Sequence, residues 1–355
     1  MRVAILGVGL IGGSVGLAAR ARLDAHVRGY DPDGRTLDEA ERLGAIDARA
    51  DDVAAAVRDA EAVFVAAPVG RLEEAVRAAL DAAPRDCVVT DVGSTKRAIV
   101  AAVHDERFVG GHPLAGAETA GVEHARENLF EDATWYLTPA PGTSGILYER
   151  LHRALTRLGA QPVAIEPELH DRVMATVSHL PHVLANVLAA QASNVIGSEE
   201  RVPASGPSLR DAIRVAGANS AIWTDIYLSN REALVATIDD TVAALRAVAE
   251  TLTAGERDAV TGWNDAARRD RDRLLGAGMG DGPLSELRVS VPNRPGVIAE
   301  IALALGRAGV NIVDMALSPS PDYRRGVITM WVRGEEQAGR AAGLIAELDF
   351  DVARI

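Results

Sequence analysis

Val3-Ala4-Ile5-Leu6-Gly7-Val8-Gly9-Leu10-Ile11-Gly12 opens the chain, and its reading decides the fold. Four apolar residues run into G-x-G-x-x-G, and Gly13-Ser14-Val15-Gly16-Leu17-Ala18-Ala19 continues with helical character. A strand that passes into a helix through such a turn is the dinucleotide fingerprint. Gly7 permits the tight turn, Gly9 lets the backbone approach a pyrophosphate, and Gly12 lets the helix pack on the sheet. The amides around Leu10 and Ile11 then face the phosphate charge. Val27-Arg28-Gly29-Tyr30-Asp31 is a second strand ending in an acid, at the spacing the fingerprint requires. Asp31 there accepts hydrogen bonds from ribose hydroxyls and repels a 2′-phosphate. That favours NAD, while Arg35 nearby leaves NADP open.

Working outward, strands alternate with helical patterns, which predicts an α/β fold with a parallel sheet and right-handed crossovers. Ala62 to Ala67 is a buried strand ending at Pro68. Cys87-Val88-Val89-Thr90 is another, ending in Asp91-Val92-Gly93-Ser94-Thr95-Lys96. Phe108-Val109 leads into Gly110-Gly111-His112-Pro113-Leu114-Ala115-Gly116, which presents an imidazole at a strand end. Ligands of such sheets bind beyond the carboxyl ends of the strands, so Ala67, Pro68, Ser94 and His112 are expected on one edge with the glycine loop. Ser94 reads as a helix N-cap, as a site hydroxyl, or as both. Strands over Phe130–Thr138 and Gln161–Ile165 close a Rossmann-like dinucleotide-binding domain at 1–166.

From 167 to 275 the periodicity is helical throughout. One apolar stripe runs through Val173, Val177, Leu180, Leu184, Val187 and Leu188, and helices this apolar predict packing against a second copy. Ser178-His179-Leu180-Pro181-His182 places two histidines on one face, with no third ligand at a metal-binding spacing, so no metal is expected. Pro181 removes a backbone hydrogen bond and predicts a kink. Arg210 and Arg214, four apart, are expected on one helix face. A glycine-rich linker spans 276–284, and 285–355 reads βαββαβ, a ferredoxin-like α+β unit.

Composition narrows the class. A chain of 355 residues holds two or three domains, and a net charge of −13 argues against nucleic acid as a partner. The single cysteine, Cys87, rules out an internal disulfide and reads as core. No signal segment or 18-residue apolar run is evident, so a cytoplasmic protein without a membrane partner is expected.

Three motifs together resemble the prephenate dehydrogenase family: the glycine loop with Asp31, the Asp91–Lys96 and Gly111–Gly116 strand ends, and Ser178–His182. The resemblance covers roughly 1–275, and the tail from Leu287 resembles an ACT domain, as in tyrosine-regulated bacterial members. It implies His112 as the catalytic histidine, Ser94 as its hydrogen-bonding partner or that of the substrate hydroxyl, and Arg214 as the carboxylate-binding cation. Ser178, His179, His182, Glu118 and Trp223 would line the substrate pocket. The helical domain would be a dimerisation domain. The activity implied is NAD-dependent oxidative decarboxylation of prephenate in tyrosine biosynthesis, with arogenate as the alternative substrate. In the tail, Asn293, Arg294, Pro295, Gly296, Asn311 and Ile312 would grip a regulatory amino acid, tyrosine. A sensor that has lost its chemistry is the competing class. Another β-hydroxy-acid dehydrogenase would carry a lysine where His179 and His182 stand.

Overall fold

The computed structural model describes residues 1–355 except 117–118, 197–205, 277–282, 293–296, 298–299, 302–303, 306–307, 311 and 321–323. Two compact units are present, Met1–Val242 and Ala243–Ile355.

The first unit is built on an eight-stranded sheet ordered β3-β2-β1-β4-β5-β6-β7-β8. Its strands are β1 (Arg2–Leu6), β2 (His26–Tyr30), β3 (Ala48–Arg49), β4 (Ala62–Val65), β5 (Val88–Asp91), β6 (Phe108–Pro113), β7 (Thr134–Pro139) and β8 (Gln161–Ala164). The connecting helices are α1 (Leu10–Leu23), α2 (Gly34–Arg42), α3 (Val53–Val57), α4 (Leu72–Ala82), α5 (Arg97–Ala102) and α6 (Gly145–Arg157). Alternate residues of a strand face opposite sides. Val3 and Ile5 of β1 therefore join one core cluster while Ala4 and Leu6 join the other. Both faces are covered by helices, which explains why these strands read as continuous apolar runs. The order reverses at β1, between β2 and β4, and that switch point is where an open α/β sheet forms its crevice.

The sheet departs from the expected all-parallel arrangement at β7, which runs antiparallel to β6 and pairs His112 with Tyr136. The cause is the connection: 114–133 holds only the short 3₁₀ turn Val122–His124 among its described residues. Without a crossover helix the chain returns along the same edge. Helix α6 then restores a crossover, and β8 lies parallel to β7.

Helices follow: α7 (Pro167–Met174), α8 (Leu180–Ile196), α9 (Pro207–Ala212), α10 (Ser220–Ser229), α11 (Arg231–Ala254) and α12 (Arg257–Gly276). Between α7 and α8 the chain winds as a π-helical turn over Ala175–His179. Pro181 follows two residues after this turn, and its missing N–H frees the preceding turn to widen. Helix α9 stops at Ala212 and the chain turns over 213–217. Arg214 thus lies beyond the helix, and the expected shared face with Arg210 does not exist.

The second unit contains a four-stranded antiparallel sheet ordered β10-β11-β9-β12, from β9 (Leu284–Pro292), β10 (Ile312–Pro319), β11 (Arg325–Arg333) and β12 (Asp351–Arg354). Helix α13 (Glu335–Glu347) and helical residues between 297 and 305 accompany it. Leu287, Val289, Ile328, Met330, Ile301 and Ile345 form its core. This order is that of a ferredoxin-like βαββαβ unit.

Candidate active site

The glycine loop is shaped for a dinucleotide. Gly7 has φ +91°, and a Cβ on it would meet the Ala66 carbonyl oxygen at 2.5 Å. A Cβ on Gly12 would lie 2.0 Å from the Gly7 oxygen, so only glycine lets α1 start this close to the sheet. Gly9 differs, because nothing stands within 4 Å of its Cβ position. It is the N-cap of α1, with no side-chain cap and no acid in the first turn. The amides at Leu10 and Ile11 therefore meet an open, electropositive space, which fits a pyrophosphate. Asp31, at the end of β2, accepts from the Val8 amide at 2.9 Å and the Asp33 amide at 3.0 Å. Its carboxylate is held beside the loop by two backbone amides. Ala67 and Pro68 follow β4 on the same edge.

His112 stands near the end of β6, partly exposed. The strand beneath it is fixed by a buried carboxylate: Asp91 accepts from the amides of Gly111 (3.1 Å) and Gly93 (2.9 Å). Asp91 also pairs with the fully buried Lys96 ammonium. The partner of His112 is not Ser94. Its Nδ1 lies 2.9 Å from His170 Nε2, and His170 Nδ1 lies 2.8 Å from Asp171 Oδ1. Asp171 also caps α5, accepting from the amides of Lys96 (2.7 Å) and Arg97 (3.0 Å). Ser94 does not cap that helix; the cap comes from 75 residues downstream. Ser94 itself is half-buried in the turn after β5.

Proton positions follow from donor and acceptor types. A carboxylate only accepts, so His170 Nδ1 donates to Asp171. Burial would raise the Asp171 pKa, yet the bonds from His170 and the two amides outweigh it and hold the group ionised. With the His170 ring proton placed on Nδ1, its Nε2 accepts, His112 donates from Nδ1, and His112 Nε2 carries a lone pair. Desolvation of this part-buried ring, with the Lys96 ammonium nearby, holds the His112 pKa well below the usual histidine range. The result is an oriented neutral base.

The helices bring together a second group of side chains. His182 stacks on Trp223 with centroids 3.5 Å apart, and His179 meets the same indole edge-on at 6.1 Å. His182, Trp223, Arg214, Asn219, Ile222 and Thr119 line a cavity of about 870 Å³, in the range of small-molecule sites. The α10–α11 region is tied to the strand ends by Thr95–Ser229 (2.8 Å), Gly70–Asp225 (3.3 Å) and the Arg97–Glu232 ion pair (2.7 Å). Cys87 is buried and its thiol is pushed up to about 12 by burial, as suits a core residue. No cluster of three metal-ligating side chains occurs among the described residues.

Three family models match in series. Prephenate dehydrogenase, nucleotide-binding domain, covers 15–164, Prephenate dehydrogenase, dimerization domain, covers 166–263, and the ACT domain covers 285–350. The prephenate dehydrogenase of Bacillus subtilis is 31% identical over 353 residues, 96% of this chain and 94% of that protein. The chain belongs to the prephenate dehydrogenase family. A cyclohexadienyl dehydrogenase of Zymomonas mobilis is 33% identical across 72% of this chain and 90% of its own length. The crystal structure of prephenate dehydrogenase from A. aeolicus, with hydroxyphenyl propionate and NAD+, superposes with a TM-score of 0.73. It shares 28% identity and covers 77% of this chain and 98% of that one.

The sequence-predicted residues His112, Ser94, His179, His182, Arg214 and Trp223 lie in the first unit of this family member, as does Ser178, one residue before His179. Glu118, Asn293, Arg294, Pro295, Gly296 and Asn311 lie outside the described residues. Ile312 begins β10, partly buried against its core. His170, Asp171 and Asn230 carry the hydrogen-bond network and were not anticipated. The adjacent His-Asp pair in the first turns of α7 is the signal that points to two of them.

Proposed function

We propose that this chain is an NAD-dependent prephenate dehydrogenase acting as a homodimer, with residue roles that follow from the geometry. Prephenate is a cyclohexadienol with a ring carboxylate and a pyruvyl side chain. Its oxidation moves a hydride off the carbinol carbon, releases carbon dioxide from the ring and leaves an aromatic product. Bound NAD supplies the hydride acceptor. His112 Nε2 takes the hydroxyl proton, and His170 with Asp171 stabilises the imidazolium that forms. Ser94 orients the hydroxyl. Arg214 offers a planar fork to a substrate carboxylate, with His182 and Trp223 holding the ring and side chain. Since aromatisation drives the step, orientation and deprotonation are what the protein must provide.

The observation that carries this reading is the His112–His170–Asp171 chain at the carboxyl edge of a sheet whose glycine loop fits a dinucleotide. Val177, Leu184, Val187 and Leu188 on α8 and the preceding turn, all exposed in the single chain, support the dimer. The run Pro167–Val195 is long and apolar enough to cross a membrane, and its apolar 18-residue window is 28% buried. It also carries the buried His170, Asp171 and His179, so its apolar face suits a second protein copy better than lipid. Tyrosine, acting at the ACT domain, is the proposed inhibitor.

Steady-state kinetics with prephenate and arogenate, each with NAD and NADP, tests the assignment. Prephenate with NAD is expected to give the highest kcat/KM. No reduction of either nucleotide with either substrate would overturn it in favour of a sensor.

A further inference from the structure

Asn230 closes α10 and is 2% exposed. Its carboxamide nitrogen lies 2.7 Å from the Asp171 carbonyl oxygen and 3.2 Å from His179 Nδ1. A carbonyl oxygen only accepts, so the group facing it must be the NH2, which fixes how the amide is turned. The second hydrogen of that NH2 then goes to His179 Nδ1, and Nδ1 must accept. An imidazole that accepts at Nδ1 carries its proton on Nε2. Burial pushes the His179 pKa down to about 4, so the ring is neutral at physiological pH.

His179 is 1% exposed, and its Nε2 has no partner among the described residues. A buried N–H left unmet carries a desolvation penalty that a ligand oxygen would recover. The ring stands edge-on to Trp223, part of the cavity wall. We propose that Asn230 is a positioning residue that locks His179 as an Nε2–H donor to a carboxylate or keto oxygen of the substrate. The inference rests on the reading of this site as one for a small anionic acid.

Asp171 thereby sets two histidines in opposite senses. Through its carboxylate and His170 it leaves a lone pair on His112 Nε2; through its backbone carbonyl and Asn230 it leaves a proton on His179 Nε2. With the opposite tautomer at His179, a second lone pair would face an anionic substrate and repel it.

Histidine-selective 15N labelling with two-bond proton–nitrogen correlation reads the tautomer in the substrate-free full chain. His179→Gln identifies the signal. Expected is a bare Nδ1 and a protonated Nε2. Asn230→Asp replaces the donor by an acceptor, so Nδ1 should gain a proton and substrate KM should rise about 10-fold or more, with the NAD KM unchanged. A protonated Nδ1 in the wild-type protein overturns the proposal, and this holds even where the variant does not fold. An unchanged substrate KM in Asn230→Asp with a switched His179 spectrum overturns it equally. Because the spectrum needs no substrate, failure to oxidise prephenate would count against the functional reading alone.

Discussion

His112 shows what a residue gains from its surroundings. Its ring alone is an ordinary imidazole; the hydrogen bond to His170 and the Asp171 carboxylate behind it select the tautomer and support the charge. His112→Asn is expected to lower kcat by at least about 10²-fold, the typical worth of a general base, without changing NAD affinity. His170→Ala keeps the base but removes its orientation, so kcat should also fall while the NAD KM holds. The sign of the pH dependence follows from the depressed His112 pKa. The base is competent while unprotonated, so kcat/KM should stay level as pH falls through 6.5, the ordinary histidine value, and drop only below it. A near-wild-type kcat in His112→Asn, or an acid limb at or above the ordinary value, would remove His112 from this role. The sequence made His112 legible because a glycine pair and a proline flank it at a strand end. It did not reveal His170, which lies 58 residues away. An adjacent His-Asp pair at a helix start reads locally as a solvated first turn.

At the scale of elements, β5, β6 and α5 are held in register by Asp91. Its carboxylate gathers the Gly93 loop amide, the Gly111 strand amide and the Lys96 ammonium, all fully buried or nearly so. Removing one member of a buried pair leaves an uncompensated charge, whereas removing both leaves none. Lys96→Met is therefore expected to cost about 3–5 kcal/mol in denaturant unfolding, and the double variant Asp91→Asn with Lys96→Met less than the single one. If the double variant proved as destabilised as the sum of the singles, the pair would have no coupling and the strand ends would be held by backbone bonds alone. Strand and helix positions in the dinucleotide-binding region were legible because apolar runs and glycine turns are local signals. The antiparallel β7 was not, since strand direction depends on whether the preceding connection contains a helix. The end of α9 was missed for a similar reason: the Arg210–Arg214 spacing suits a helix, but the turn at 213–217 overrides it.

For the whole molecule the question is how a catalytic unit and an ACT domain communicate. Every member of the His112–His170–Asp171 chain and of the cavity wall lies before Val242, within the first compact unit. The core of the ACT domain is drawn wholly from residues after 286, so removing it opens neither core of the nucleotide-binding sheet. Tyrosine bound to that domain can inhibit only by favouring a state with weaker substrate binding or slower turnover. Tyrosine also shares a hydroxyphenyl ring with the product of the proposed reaction, and so has a second route, direct competition in the cavity. A chain ending at Leu275 separates the two. It is expected to remain dimeric by sedimentation, to oxidise prephenate with a kcat close to that of the full chain, and to lose inhibition by tyrosine. Inhibition that persists undiminished in the truncated enzyme, with substrate KM raised and kcat untouched, would place tyrosine in the active site and leave the ACT domain without a sensing role.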